Sequence, residues 1–169
     1  MKRLLAMSLV AALFSCGSGR DNREIKRVPG ETIKEYVHSY SGTMMWYIDW
    51  YKIDHGEDGK LRLSYSHEGP EITIIRCPED ALGRIDGFVR EYKLWRLKNS
   101  YVPRMRILDG YMWNTNIKYE GASIYTGGSN AWPPKRLSAG LSAIESYVRS
   151  IIDASGPEDV IGTDSHMNR

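Results

Sequence analysis

The apolar positions of this chain change period several times, and the changes divide it into elements. An unbroken apolar run, Leu4 to Phe14, opens it. A polar, glycine-rich stretch without apolar period follows from Gly17 to Gly30. Ile33 to Tyr40 fits either a helical stripe (Ile33, Tyr36, Val37, Tyr40) or a strand, and its tyrosine and valine content favours the strand. Met44 to Ile53 is aromatic and β-branched. The turn cluster Asp54 to Gly59 leads from it into the alternating Leu61 to Tyr65, which predicts a hairpin. Gly69 and Pro70 precede a further strand, Glu71 to Arg76. Pro78, Glu79 and Asp80 are expected to open a helix whose buried stripe is Leu82, Ile85, Val89 and Tyr92. A second pair of strands, Tyr111 to Tyr119 and Ala122 to Thr126, turns at Glu120 and Gly121. A second helix begins at Pro133 and Pro134 and carries Leu137, Leu141, Ile144, Val148 and Ile151 along one side.

Several strands, a helix, two strands and a helix predict an α+β fold, a mainly antiparallel sheet with two helices packed on one face. Met45-Trp46 and Met112-Trp113 each begin a strand that leads through a second strand into a proline-opened helix, so the chain reads as two strand-strand-helix repeats. The aromatic strand poses a packing problem. Trp46, Ile48 and Trp50 share one face, and Met45, Tyr47, Tyr51 and Ile53 the other, so both faces need cover while the helices supply one layer. Either another segment covers the second face or an aromatic surface stays open to a ligand.

The beginning of the chain has the layout of a secretory signal: Lys2 and Arg3 before the apolar run, then the small Ser15. The run is too short to span a bilayer, which takes about 20 helical residues. Leu13-Phe14-Ser15-Cys16 resembles the lipobox of bacterial lipoproteins, with Phe14 bulkier than the usual residue. The resemblance implies a signal peptide over 1–15, a lipid on Cys16 that anchors the chain to a membrane, and a flexible tether over 16–31. A single α+β domain over 32–153 and a loose tail over 154–169 complete the expected organisation. Without residues 1–15 the 23 basic residues fall to 21, equal to the 21 acidic ones. A balanced chain lacks the basic footprint of a nucleic-acid binder. With Cys16 acylated, Cys77 is left with no partner for an internal disulfide.

Candidate chemistry is sparse. The chain has no nucleophile elbow, zinc-binding His-Glu-x-x-His, Cys-x-x-Cys or phosphate loop, and nothing in it calls for a metal or a cofactor. His67 and Glu68, neighbours at a strand end, should point to opposite faces. Asp54 to Gly59 begins like a calcium loop, but Tyr65 stands where the closing glutamate belongs, so the segment reads as a polar turn. Cys77 precedes a helix, where a dipole lowers thiol pKa values, yet it reads more simply as a buried small side chain.

The stretch Gly127-Gly-Ser-Asn-Ala-Trp-Pro-Pro134, with Asp109-Gly-Tyr-Met-Trp113, resembles small uncharacterised domains of envelope lipoproteins in Gram-negative gut bacteria. The resemblance implies a location in the cell envelope, at the outer membrane and facing the periplasm or the cell surface, and no activity. The expected role is a non-enzymatic module that binds a protein or glycan through Trp46, Trp50, Trp113, Asn130 and Trp132. The competing expectation is a small envelope hydrolase or inhibitor in which folding gathers Asp49, His67 and Asp109.

Overall fold

The structure is a computed structural model that describes residues 32–42, 47–105, 107 and 110–168. The expected signal peptide, Cys16, the tether, Trp46 and Asp109 lie outside the described residues. The fold is α+β, as the periodicity predicts. Strands β1 (Ile33–Ser41), β2 (Tyr47–His55), β3 (Leu61–His67) and β4 (Glu71–Arg76) are followed by helix α1 (Ala81–Tyr92). Strands β5 (Met112–Tyr119) and β6 (Ser123–Ser129), helix α2 (Lys135–Ala154) and strand β7 (Val160–Ser165) complete it. The seven strands form one sheet in the order β6-β5-β1-β2-β3-β4-β7, and each neighbouring pair is antiparallel. The first strand is therefore an inner one: β1 lies between β2 and β5 and joins the two halves of the chain.

Both helices cover one face. The register sets Tyr36 beside Ile53 and Ile117, Ile53 beside Leu63, and Leu63 beside Ile75. Onto this apolar row pack Leu82, Ile85 and Val89 of α1 and Ile144, Val148 and Ile151 of α2, all buried. Tyr92, Leu137 and Leu141, the remaining members of the two expected stripes, are half-buried at its margin. Pro78, Glu79 and Asp80 come one turn before α1 proper, bridged to it by the Ala81 amide on the Pro78 carbonyl at 3.0 Å. At the other end Lys93 takes the left-handed conformation at φ 59°, and α1 stops. Pro134 caps α2 from outside the helix, where its missing amide costs nothing.

The C-terminal segment corrects the expectation of a loose tail. Residues 160–165 are β7, paired with β4 from Glu71↔Ser165 to Ile75↔Val160. The turn His166–Asn168 then folds over the face that the helices leave open. The His166 amide donates to the Pro70 carbonyl at 2.9 Å, its Nε2 meets Ser66 Oγ at 3.0 Å, and its ring stands edge-on to Trp50 at 5.0 Å. Trp50, Ser66 and Ile72 are buried on this side. Elsewhere the open face carries a charged run: Lys118, Glu35, Lys52, Asp54 and Arg62 alternate in sign across β5, β1, β2 and β3, with contacts of 2.6 to 3.6 Å. In both ways the second face of the sheet is accommodated with a single helical layer.

Two helical glycines separate the competing effects of backbone and packing. A methyl at Gly83 of α1 meets nothing within 4 Å, whereas one at Gly140 of α2 lies 2.5 Å from Tyr92 Cβ and 2.8 Å from Leu94 Cδ2. Alanine is favoured in a helix interior by about 1 kcal/mol, and overpacking costs about 1 to 3 kcal/mol. Gly83→Ala is expected to raise the thermal midpoint and Gly140→Ala to lower it, read by circular-dichroism melts of the two variants beside the parent.

Candidate functional site

The end of the sheet where β1 finishes and β2 begins carries most of the unusual side chains. Five positions fall in one cross-strand row there: Gly128 on β6, Trp113 on β5, Tyr40 on β1, Asp49 on β2 and His67 on β3. They share the helix-bearing face, and Arg149 of α2 reaches the row at Asp49.

At the β5 end the row is aromatic. Trp113 is 1% exposed, and its indole N–H donates to the Ala131 carbonyl at 2.9 Å. The ring of Tyr101 stacks with it at 6.1 Å, while Trp132 lies parallel to it at 5.1 Å with the planes only 2° apart. Gly128 makes this possible, because a side chain there would collide with the Ala131 carbonyl and the Trp113 indole. Trp132 is nevertheless 56% exposed, so with one face against Trp113 it offers the other to solvent. Tyr40 lies 6.5 Å from Trp132 and stacks with Tyr111 at 5.3 Å, and Tyr111 is also exposed. Together with Ile107 and Asn130 these rings line a shallow cavity of about 330 Å³.

Asn130 supports this surface from beneath. Its Oδ1 accepts from the Tyr111 amide at 3.0 Å, and its own amide donates to the Tyr111 carbonyl at 2.9 Å. At φ 48° it takes a conformation that asparagine tolerates better than most residues. It is a positioning residue that ties the strand entering β5 to the loop carrying Trp132.

At the β3 end the row is charged. Asp49, almost fully buried, receives His67 Nδ1 at 2.8 Å on one oxygen and Arg149 Nη2 of α2 at 2.7 Å on the other. Arg149 also reaches Glu145 one turn earlier at 3.2 Å and lies over the Tyr51 ring at 5.8 Å. Burial, and next the negative charge of Asp49, push the Tyr51 phenol well above its ordinary range. Glu68, expected to point away from His67, turns back instead. Its φ of 51° ends the strand alternation, and its carboxylate comes within 3.9 Å of His67 Nε2.

Of the expected binding residues, Trp113, Asn130 and Trp132 are gathered at the shelf, with Trp113 as its buried base. Trp50 is a correction: it belongs to the opposite face, under His166. Of the expected hydrolytic group, Asp49 and His67 do meet. Among the described residues, however, no serine, threonine or cysteine hydrogen-bonds to His67, and no group of three or more histidine, cysteine or acidic side chains could hold a metal. Burial, aided by Asp80, pushes the Cys77 thiol up to about 12, against the dipole effect that would make it reactive. A larger cavity, about 620 Å³, lies at the far end of the sheet beside the β2-β3 turn, where Arg62 is paired with Asp54 and Arg76 with the Glu158 carbonyl. Tyr40, Tyr111 and Arg149 were not singled out in the sequence. They are ordinary residues until the strand register aligns them.

Among the described residues, no helix is long and apolar enough to cross a membrane. No protein-family model, curated protein or solved structure matches the chain.

His38, under α2 in the same layer, shares a 2.9 Å hydrogen bond with Thr115 Oγ1 and stacks with Tyr51. Burial lowers its pKa to about 4, with Arg149 lowering it further and Asp49 opposing. The folded state thus resists a proton that the unfolded chain accepts near 6.5, so this contribution is complete above that pH and is lost as the pH falls toward 4. The loss approaches about 3 kcal/mol. In urea melts between pH 7 and pH 4, a His38→Gln variant is expected to show a shallower fall in stability than the parent. Parallel curves would remove His38 as the cause.

Proposed function

We propose that this chain is a lipid-anchored module of the cell envelope, held to a membrane through lipid on Cys16, that binds a protein or glycan ligand on the shelf formed by Trp132, Tyr40 and Tyr111. The observation that supports the binding reading is the state of Trp132. Its large apolar ring is more than half exposed, yet it is fixed parallel to a fully buried tryptophan. An exposed indole that is already immobilised loses little conformational freedom when a ligand covers it, which is the economy of a preorganised binding surface. Among the described residues the Asp49-His67 pair has no partnered nucleophile, which favours recognition over hydrolysis. The lipobox and the polar stretch after it support the anchor, and the balanced charge argues against a nucleic-acid partner.

Two measurements separate the anchor from the shelf. Cys16→Ala is expected to lose radiolabelled palmitate and to move from the membrane to the soluble fraction; equal labelling and equal fractionation would defeat the anchor. For the shelf, a photoreactive benzophenone side chain placed at position 132 in cells is expected to give an adduct that the same group at Glu79 does not. If neither position gives an adduct, the surface is not occupied and the binding reading fails.

A further inference from the structure

Trp113 and Asp49 are buried in this row, so a ligand meets Trp132, Tyr40 and His67 along it, and the length and chemistry of that track restrict what can lie on it. From Trp113 through Tyr40 and Asp49 to His67 is three strand spacings, roughly 14 Å. That is too long for a single sugar ring or amino-acid side chain and suits a short linear chain. The track crosses β5, β1, β2 and β3, all inner strands with neighbours on both sides. Their backbone groups are committed to the sheet, so an extended peptide finds no edge here to pair with, and recognition must come from side chains.

Those side chains are graded. Trp132 offers a flat apolar face, with the Tyr40 and Tyr111 rings beside it. His67, whose side chain is 61% exposed, is held through Nδ1 by Asp49, and its Nε2, with the exposed Glu68 carboxylate 3.9 Å away, is a polar contact at the other end. Asp49 is itself held by Arg149, so the polar end is preorganised like the aromatic one. A pyranose chain has the matching distribution: apolar C–H groups on its ring faces, and hydroxyl groups around its rim that both donate and accept. An extended chain with equatorial linkages keeps its rings nearly coplanar and runs straight, as the row does.

We infer that the ligand of this shelf is a linear, equatorially linked oligosaccharide lying across the strands, with one ring stacked on Trp132 and a later one hydrogen-bonded to His67. The inference rests on the binding reading of the shelf and adds a ligand class and a direction to it.

The test is calorimetric titration of the full-length protein in detergent micelles with glucose, cellobiose and cellotriose, and with N-acetylglucosamine, chitobiose and chitotriose. In at least one series the trisaccharide is expected to bind about tenfold or more tightly than the single sugar, a difference of about 1.4 kcal/mol. Trp132→Ala should weaken every member of that series, whereas His67→Ala should weaken the trisaccharide and leave the monosaccharide unchanged. Circular dichroism of both variants checks that the fold is retained. If affinity depends on Trp132 but not on chain length or His67, the track is overturned and the shelf stands. If no saccharide binds while the benzophenone adduct at position 132 forms and is destroyed by protease, the occupant is a protein and the glycan assignment is overturned. If neither saccharide nor adduct is found, both readings fall.

Discussion

A sheet has two faces, and this chain has helices for one of them. That constraint accounts for much of the rest of the structure. On the helical side, Ile53, Leu63, Ile75 and Ile117 form the floor of the core under α1 and α2. On the other side, Trp50 and Ile72 require cover that no helix can give, and the chain supplies it by returning from α2 as an additional strand and a closing turn. Where even this cover ends, the exposed face carries alternating lysine, glutamate, aspartate and arginine. There, burial alone would raise the Asp54 carboxyl, and the hydrogen bonds from Arg62 and Lys52 outweigh it and hold the carboxyl below its ordinary range.

The candidate site lies on the helical side of the sheet. There the row from Trp113 to His67 carries aromatic and charged side chains, and Arg149 of α2 reaches it at Asp49. Its members satisfy themselves in two ways. The aromatic rings stack with one another, and the buried carboxylate of Asp49 takes a histidine on one oxygen and an arginine on the other. An ion pair in such a place adds little net stability, since desolvation of the charges offsets their attraction, but it fixes geometry well. Fixed geometry beneath the exposed rings of Trp132 and Tyr111 suits the proposed recognition of a ligand.

The elements and their layer were legible in the sequence because each depends on a local period: the alternation of Leu61 to Tyr65, the four-three spacing of α2, the turn residues at Gly59 and Gly121. The segment after Ala154 was misread because β7 has little apolar alternation of its own. Val160 and Ile161 are followed by Gly162, Thr163, Asp164 and Ser165, and the strand exists through its pairing with β4 rather than through its composition. The site was half legible. Trp132 was marked by the glycines and prolines around it, and Asp49 and His67 were named without a reason to meet. Tyr40, Tyr111 and Arg149 gave no signal, because their meeting depends on the register between strands far apart in the chain, which no local pattern encodes. Trp50 was separated correctly from Tyr51 and Ile53, but which of the two faces meets the helices was left open, and the cover over Trp50 depends on His166, more than a hundred residues away.

The inner position of β1 has a consequence for how the molecule assembles. The first strand made cannot complete its pairing until β5 follows, about eighty residues later, and the sheet is not closed until β7 reaches β4. Hairpins β2-β3, β3-β4 and β5-β6 form from neighbours, but the two halves are joined by contacts of long sequence separation, which favour slow folding. During synthesis, β1 would wait with one edge unpaired and the Trp50 side of the sheet uncovered. Such an edge is a hazard for misassociation. A chaperone that shields this protein before folding is therefore expected to act early, on residues near the start of the sheet, rather than on those that close it.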